Sequence, residues 1–343
     1  MKGKKDKGEA AHDGHHGKKN YILTCDLGSK VRLYRSCGIK TPGPNDPFFV
    51  DLQNALREKI GAALPGIQVK AIEMEDLANQ ILARAHERRN HLRDAIVVST
   101  CPEIVAPDGG YTLQVNRLID DKGEFLGHGP RPGYQAVEEQ ALAVRALAND
   151  RPIILLEDGT FSGGTLSYIL SRFAAQNLKI SALVLGFAFP KAEKVLKRMF
   201  HGELIILNGI EELLDWMPDH DFFPFIPSCG RVFGVPVRGK NFPFYSFEGT
   251  SFSVPYILPF CNRMKDWANI PPEHAFGISL FCLQRSIELF ERLEKLNGKE
   301  IRVSDLVNGH FNVSVPISIG QNTFPSLEAR VIDILNEACI ENS

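Results

Sequence analysis

Residues 152–166 read Pro-Ile-Ile-Leu-Leu-Glu-Asp-Gly-Thr-Phe-Ser-Gly-Gly-Thr-Leu, and no other stretch constrains the fold as much. Ile153, Ile154, Leu155 and Leu156 form an uninterrupted apolar run, the pattern of a strand buried on both faces. Two adjacent carboxylates, Glu157 and Asp158, end the run. A turn of small residues, Ser162, Gly163, Gly164 and Thr165, leads into a helix predicted over 165–177. A strand covered on both faces needs helices above and below it, which points to an α/β architecture.

The same residue types imply a chemistry. Open α/β sheets bind ligands beyond the carboxyl ends of their strands. Glycines let backbone amides approach an anion with no Cβ in the way. The helix N-terminus offers free N–H groups and partial positive charge, and Ser162 and Thr165 add hydroxyl donors. A carboxylate pair beside such a cradle suits a sugar diol, a Mg2+ ion, or both. The implied ligand is a phosphorylated sugar with free vicinal hydroxyls. A Walker A loop is excluded because the turn has no Lys. A dinucleotide fingerprint would carry its acid about 20 residues after the turn instead of before it. The plainer alternative is a strand–turn–helix with two exposed acids.

Elsewhere, hydrophobic periodicity alternates strands and helices. Strands are predicted over 68–72, 95–99, 111–118, 180–189 and 203–207, and helices over 51–64, 76–93, 135–148, 191–200 and 211–217. This order predicts a mostly parallel sheet with flanking helices, Rossmann-like in outline. Residues 21–25 and 30–34 flank Asp26-Leu27-Gly28-Ser29 and suggest a hairpin. Residues 120–134 (DDKGEFLGHGPRPGY) suggest a long polar loop of the kind that serves a site. Three segments are expected: a disordered basic tail over 1–19, an α/β region over 20–218, and an extension over 219–343 of unknown role. The tail holds six Lys together with His12, His15 and His16, and too little apolar surface to bury. The extension opens with nine Phe and two Tyr between residues 219 and 260, then predicts helices over 272–296 and 326–342. Its rings would either stack on a planar ligand or form core.

The net charge of −2 leaves no global field to recruit nucleic acid or anionic membrane. A local contact stays open through the helix that carries Arg84, Arg88, Arg89 and Arg93, together with the Lys-rich tail, with a nucleic acid or protein as partner. The alternative for that helix is a solvated face. No apolar run is long enough to span a bilayer, and the N-terminus has no secretory h-region, so a cytoplasmic chain is the expectation. Seven scattered cysteines without a C-x-x-C argue against a disulfide framework or a zinc module.

The stretch from Ile153 to Thr165 resembles the motif that binds 5-phosphoribosyl-1-diphosphate (PRPP) in type I phosphoribosyltransferases: four apolar residues, two acids, three variable residues, Ser/Thr, Gly, any residue, Thr. The resemblance implies a type I phosphoribosyltransferase-like fold and displacement at ribose C1 with release of diphosphate. It implies that Glu157 and Asp158 hold the ribose hydroxyls and, through Mg-PRPP, the Mg2+ cofactor. The turn from Thr160 and Phe161 through Ser162, Gly163 and Gly164 to Thr165 would hold the 5′-phosphate. Residues 100–103 would sit where the family's diphosphate loop does, and residues 120–134 where its closing loop does, with Arg131 reaching either the diphosphate or solvent. A hood for a nucleobase acceptor would come from residues 21–40, from 219–260, or from both. A homodimer is open. Phe161 stands where purine-using members carry a proton-handling Asp, so ordinary purine salvage is not expected. The alternative function is a PRPP- or nucleotide-binding regulator, or an effector in a bacterial stress or defence system.

Overall fold

A computed structural model describes residues 19–210, 212–235, 246–247, 250–257, 263–307, 311–317 and 324–340. Most of the basic tail, part of the aromatic run and Cys261 lie outside the described residues.

The described chain opens with β1 (Asn20–Cys25), followed at once by α1 (Leu27–Val31) and a 3-10 turn, Arg32–Cys37. This corrects the hairpin expected at residues 21–34. The N–H groups of Asp26 and Leu27 donate to the Asp219 carboxylate, both at 3.1 Å, and this draws the chain into a helical turn. Next come α2 (Pro47–Ala63), β2 (Gln68–Glu73) and α3 (Met74–His91). Asp46 caps α2 by accepting from the Phe48 N–H at 2.9 Å, with Pro47 in the first turn. β3 (Ile96–Ser99), β4 (Tyr111–Thr112), β5 (Val115–Ile119) and β6 (Phe125–Pro130) lead to α4 (Val137–Ala148).

The strand expected over 111–118 is therefore two strands. Between them, the buried Gln140 side chain accepts from the Gln114 N–H and donates to the Gln114 and Gln135 carbonyls. That clamp carries the chain from one sheet to another. The loop expected over 120–134 is also corrected, because β6 occupies its centre. Asp120 Oδ1 accepts from the N–H groups of Lys122 and Glu124, tightening the turn so that β6 folds back onto β5.

The remaining elements are β7 (Ile153–Thr160), α5 (Gly164–Ala175), β8 (Ile180–Ala188), α6 (Pro190–Met199), β9 (Glu203–Asn208), β10 (Leu213–Pro218), β11 (Arg231–Phe233), β12 (Ser246–Phe247), β13 (Thr250–Val254), α7 (Met264–Ala268), α8 (Pro272–Asn297), β14 (Val313–Ser314) and α9 (Val331–Ile340). The helix expected over 211–217 is instead β10. It pairs in parallel with β1, and this tertiary pairing overrides a helical spacing that the short run also satisfies.

Among the described residues, the strands form three sheets. The central one runs β4-β3-β7-β8-β9, all parallel. Ile153 and Leu155 of β7 face one core, with α4 and α5, while Ile154 and Leu156 face another, with α3. This is the α/β architecture that the sequence predicts. A second parallel sheet runs β10-β1-β2. The third runs β12-β13-β11-β5-β6, with β14 on β13, and joins the β5–β6 hairpin to the extension. Phe222, Phe223, Phe225 and Phe252 are fully buried, so these rings of the aromatic run are core. On α3, Arg84 pairs with Glu87 and Arg88 with Glu203, as on a solvated face.

Candidate functional site

The carboxyl end of β7 opens on a cavity of about 430 Å3, which all three sheets help to line. Its floor is the Glu157–Asp158 pair. The Thr100 hydroxyl, from the loop after β3, donates to the Glu157 carboxylate, and Asp158 Oδ1 accepts from the Gly159 N–H at 2.8 Å. Burial and the neighbouring Asp158 push the Glu157 carboxyl well up. Burial and Glu103 push Asp158 up to about 6. The pair is thus buried beside further negative charge, with Arg117 as a partial counterweight at Glu157. Two neighbouring carboxylates that line the cavity and resist carrying charge together fit a divalent cation or a diol.

After β7 the chain turns sharply. Gly163 sits at φ +79°, in the left-handed region, and starts α5 with no side chain capping the helix. Ser162 Oγ accepts from the Gly164 N–H at 3.3 Å. Phe161 is 55% exposed and meets Phe189 edge to face, with ring centroids 4.4 Å apart. Gly159 is sterically required, because a Cβ there would lie 2.9 Å from the Trp216 ring and 3.3 Å from Phe187. Trp216 itself is pinned by its indole N–H, which donates to Thr24 Oγ1 at 3.2 Å.

The residues that the resemblance assigns to PRPP (Glu157, Asp158, Thr160, Phe161, Ser162, Gly163, Gly164, Thr165 and Arg131) line this one cavity. Arg131 follows β6. Its Nη1 donates to the Ser228 carbonyl at 3.4 Å, while its buried Nε has no partner among the described residues.

Sequence reasoning missed several further residues. His128 of β6 reaches Thr165 Oγ1 at 3.1 Å and stacks on Tyr168 at 4.8 Å. Burial and Arg117 lower its pKa to about 4, so the imidazole is neutral. Glu103 forms an ion pair with the buried Lys30 of α1. Burial alone would raise the Glu103 carboxyl, but Lys30 and Arg131 hold it well below the ordinary range. The acid that follows Pro102 is therefore neutralised by a partner 73 positions earlier in the chain.

Asp26, Asp219 and His220 cluster with ligand atoms within 4.8 Å of one another. They bond chiefly to one another and to the chain around them. Asp219 accepts from two backbone N–H groups and from Gln53 Nε2 at 2.9 Å, and Asp26 is bonded to His220 Nδ1. The cluster fastens β1 to the segment after β10, and its donor set does not ask for a metal. The sequence signal for it was the Asp-His-Asp run at residues 219–221.

Fold and site define an α/β chain whose central strand delivers a carboxylate pair and a glycine turn to one polar cavity. No family model matches the chain, and no curated protein matches it. Among solved structures, it is similar to an adenine phosphoribosyltransferase at 12% identity, over 39% of this chain and 79% of that one, with a TM-score of 0.28. It is also similar to TT1426 from Thermus thermophilus at 18% identity, over 40% of this chain and 85% of that one, with a TM-score of 0.27.

Proposed function

We propose that the cavity binds Mg-PRPP or a closely related phosphorylated ribose, and that the chain transfers the phosphoribosyl group to an acceptor with release of diphosphate. One observation carries this reading: Glu157 and Asp158 lie in the C-terminal half of β7, a few residues before a left-handed Gly163 and the N-terminus of α5, and all of them line the same cavity. In this reading, the carboxylates accept hydrogen bonds from the ribose hydroxyls and fix the ring. The turn from Thr160 to Thr165 cradles the 5′-phosphate. Arg131, with its unpartnered Nε, meets the diphosphate. The C1–oxygen bond breaks with its electron pair leaving on diphosphate, while an acceptor lone pair closes on C1 and the acceptor gives up a proton. Glu157 and Asp158 would hold Mg2+ through the bound substrate, and the ion would neutralise charge on the departing diphosphate.

A second reading, PRPP sensing without turnover, is favoured by Phe161. Its ring is packed on Phe189, and it can move no proton. Incubation with PRPP, Mg2+ and a pool of nucleobases, with diphosphate as the readout, separates the two. Diphosphate release supports transfer. Calorimetric binding without release supports sensing, and no binding rejects both.

A further inference from the structure

Arg231 of β11, Arg117 of β5 and His128 of β6 lie side by side on three adjacent strands. The parallel pairing of β11 with β5 sets Val232 against Leu118, and Arg231 and Arg117 each stand one residue before that pair. The antiparallel pairing of β5 with β6 sets Arg117 directly against His128. All three line the cavity, as does Arg131 just beyond β6. Like charges on neighbouring strands repel, yet Arg117, Arg131 and Arg231 form no ion pair among the described residues.

Arg231 is built in as a fixed donor. Its guanidinium lies 5.1 Å from the Tyr256 ring centroid and 4.8 Å from that of Trp267. Its Nε is buried without a hydrogen-bond partner. Burial and the nearby Arg117 lower its pKa, whereas Tyr256 and Asp221 pull it up. Asp221 is shared, since its Oδ1 accepts from the Gly230 N–H at 2.8 Å and lies 3.7 Å from His220 Nε2. A half-buried guanidinium lying over two neighbouring aromatic rings, with a buried Nε–H that has no partner among the described residues and a like-charged neighbour, is a site that lacks its anion.

We infer that Arg231 and Arg117 form an oxyanion subsite for the second substrate, so that the acceptor, or the effector in its place, carries a carboxylate or a phosphate. The inference rests on the proposed reading that Mg-PRPP occupies the phosphate turn and the carboxylate pair. Tyr256 and Trp267 fix the guanidinium, Arg117 supplies the second charge, and neutral His128 can join as a donor without adding to the repulsion. A neutral nucleobase would bring no negative charge to the Arg231 Nε–H, which has no partner among the described residues, so acids are selected over their neutral amides.

Calorimetry on the wild-type chain and on Arg231→Gln and Arg117→Gln tests this. Inorganic phosphate and benzoate are titrated with and without saturating Mg-PRPP, and benzamide serves as the neutral control. At least one anion should bind the PRPP-saturated wild-type chain and lose tenfold or more in each variant. Benzamide should not bind, and Mg-PRPP affinity should stay within threefold. Arg117 is solvent-exposed, so its variant keeps the test valid if loss of Arg231 perturbs folding. Anion binding that tells phosphate from benzoate identifies the oxyanion. Two results overturn the subsite: no anion binding in either state, or a tenfold loss of Mg-PRPP affinity in both variants, which would give the arginines to the diphosphate. Anion binding without any Mg-PRPP binding keeps the subsite and rejects the transferase reading.

Discussion

Asp158 is a side chain whose charge is carried at the expense of the fold. Its carboxyl titrates near 6 because burial and Glu103 oppose the charge. An acid whose folded pKa is raised adds stability below its unfolded value, and that stability is lost as pH rises through the folded one. Asp158→Asn should therefore raise stability at pH 8 by roughly 1 kcal/mol, after discounting for access to solvent. The gain should disappear near pH 4. The same variant should bind Mg-PRPP at least tenfold more weakly at pH 8, and wild-type affinity should fall as pH drops through about 6. Chemical denaturation and calorimetry at the two pH values check both halves. Unchanged affinity would remove Asp158 from the site. At Phe161, the expected result is negligible conversion of hypoxanthine or guanine with PRPP. Its ring contributes none of the roughly 10²–10⁴-fold that a positioned acid or base supplies. Chromatography of the nucleotide products decides, and robust inosine or guanosine monophosphate formation would mean that another group takes the proton.

The turn between β7 and α5 is the element on which the site depends, and Gly163 is its hinge point. A Cβ there would meet Val195 at an ordinary 3.5 Å, so space is not the constraint. The backbone is: a side chain at φ +79° costs about 1–2 kcal/mol. Gly163→Ala should lose that much stability in urea unfolding and weaken phosphate-bearing ligands as the turn relaxes. Loss of affinity without loss of stability would show that the turn is not strained. This element was legible from sequence because it is local: apolar run, acids, glycines and helix follow one another within fifteen residues. The alternation that yields the central parallel sheet was legible for the same reason. β10 was not, because what makes residues 213–218 a strand is β1, nearly two hundred positions earlier. The break between β4 and β5 was hidden too, since it depends on Gln140 reaching back to Gln114. In the cavity, the pairing of Lys30 with Glu103 and the row formed by Arg231, Arg117 and His128 exist only once distant strands are in register. Spacing along the chain carries no trace of them.

The extension is structurally continuous with the rest of the molecule. β11 pairs with β5, placing the segment after residue 230 in the same sheet as the hairpin beside the cavity. Tyr21 donates its hydroxyl to the Ala268 carbonyl at 2.9 Å, and Tyr34 donates to the Phe225 carbonyl. Leu23, Leu52, Leu56 and Ile60 from the first third of the chain share one core with Phe225, Phe290, Leu293 and Leu335. Burying each such side chain contributes roughly 1.5–3 kcal/mol, and a whole domain is typically stable by only about 5–15 kcal/mol. A chain ending at Pro218 would leave the N-terminal half of that core facing water and strip β5 of a partner. It should therefore show no cooperative thermal transition and no fixed near-ultraviolet dichroism, although the central sheet is complete within it. A sigmoidal melt within ten degrees of the full chain would instead show that residues 20–218 fold alone and that the extension is an addition. Failure of the short chain to melt cooperatively, together with Mg-PRPP binding by the intact one, would mean that the cavity needs both parts of the sequence to exist.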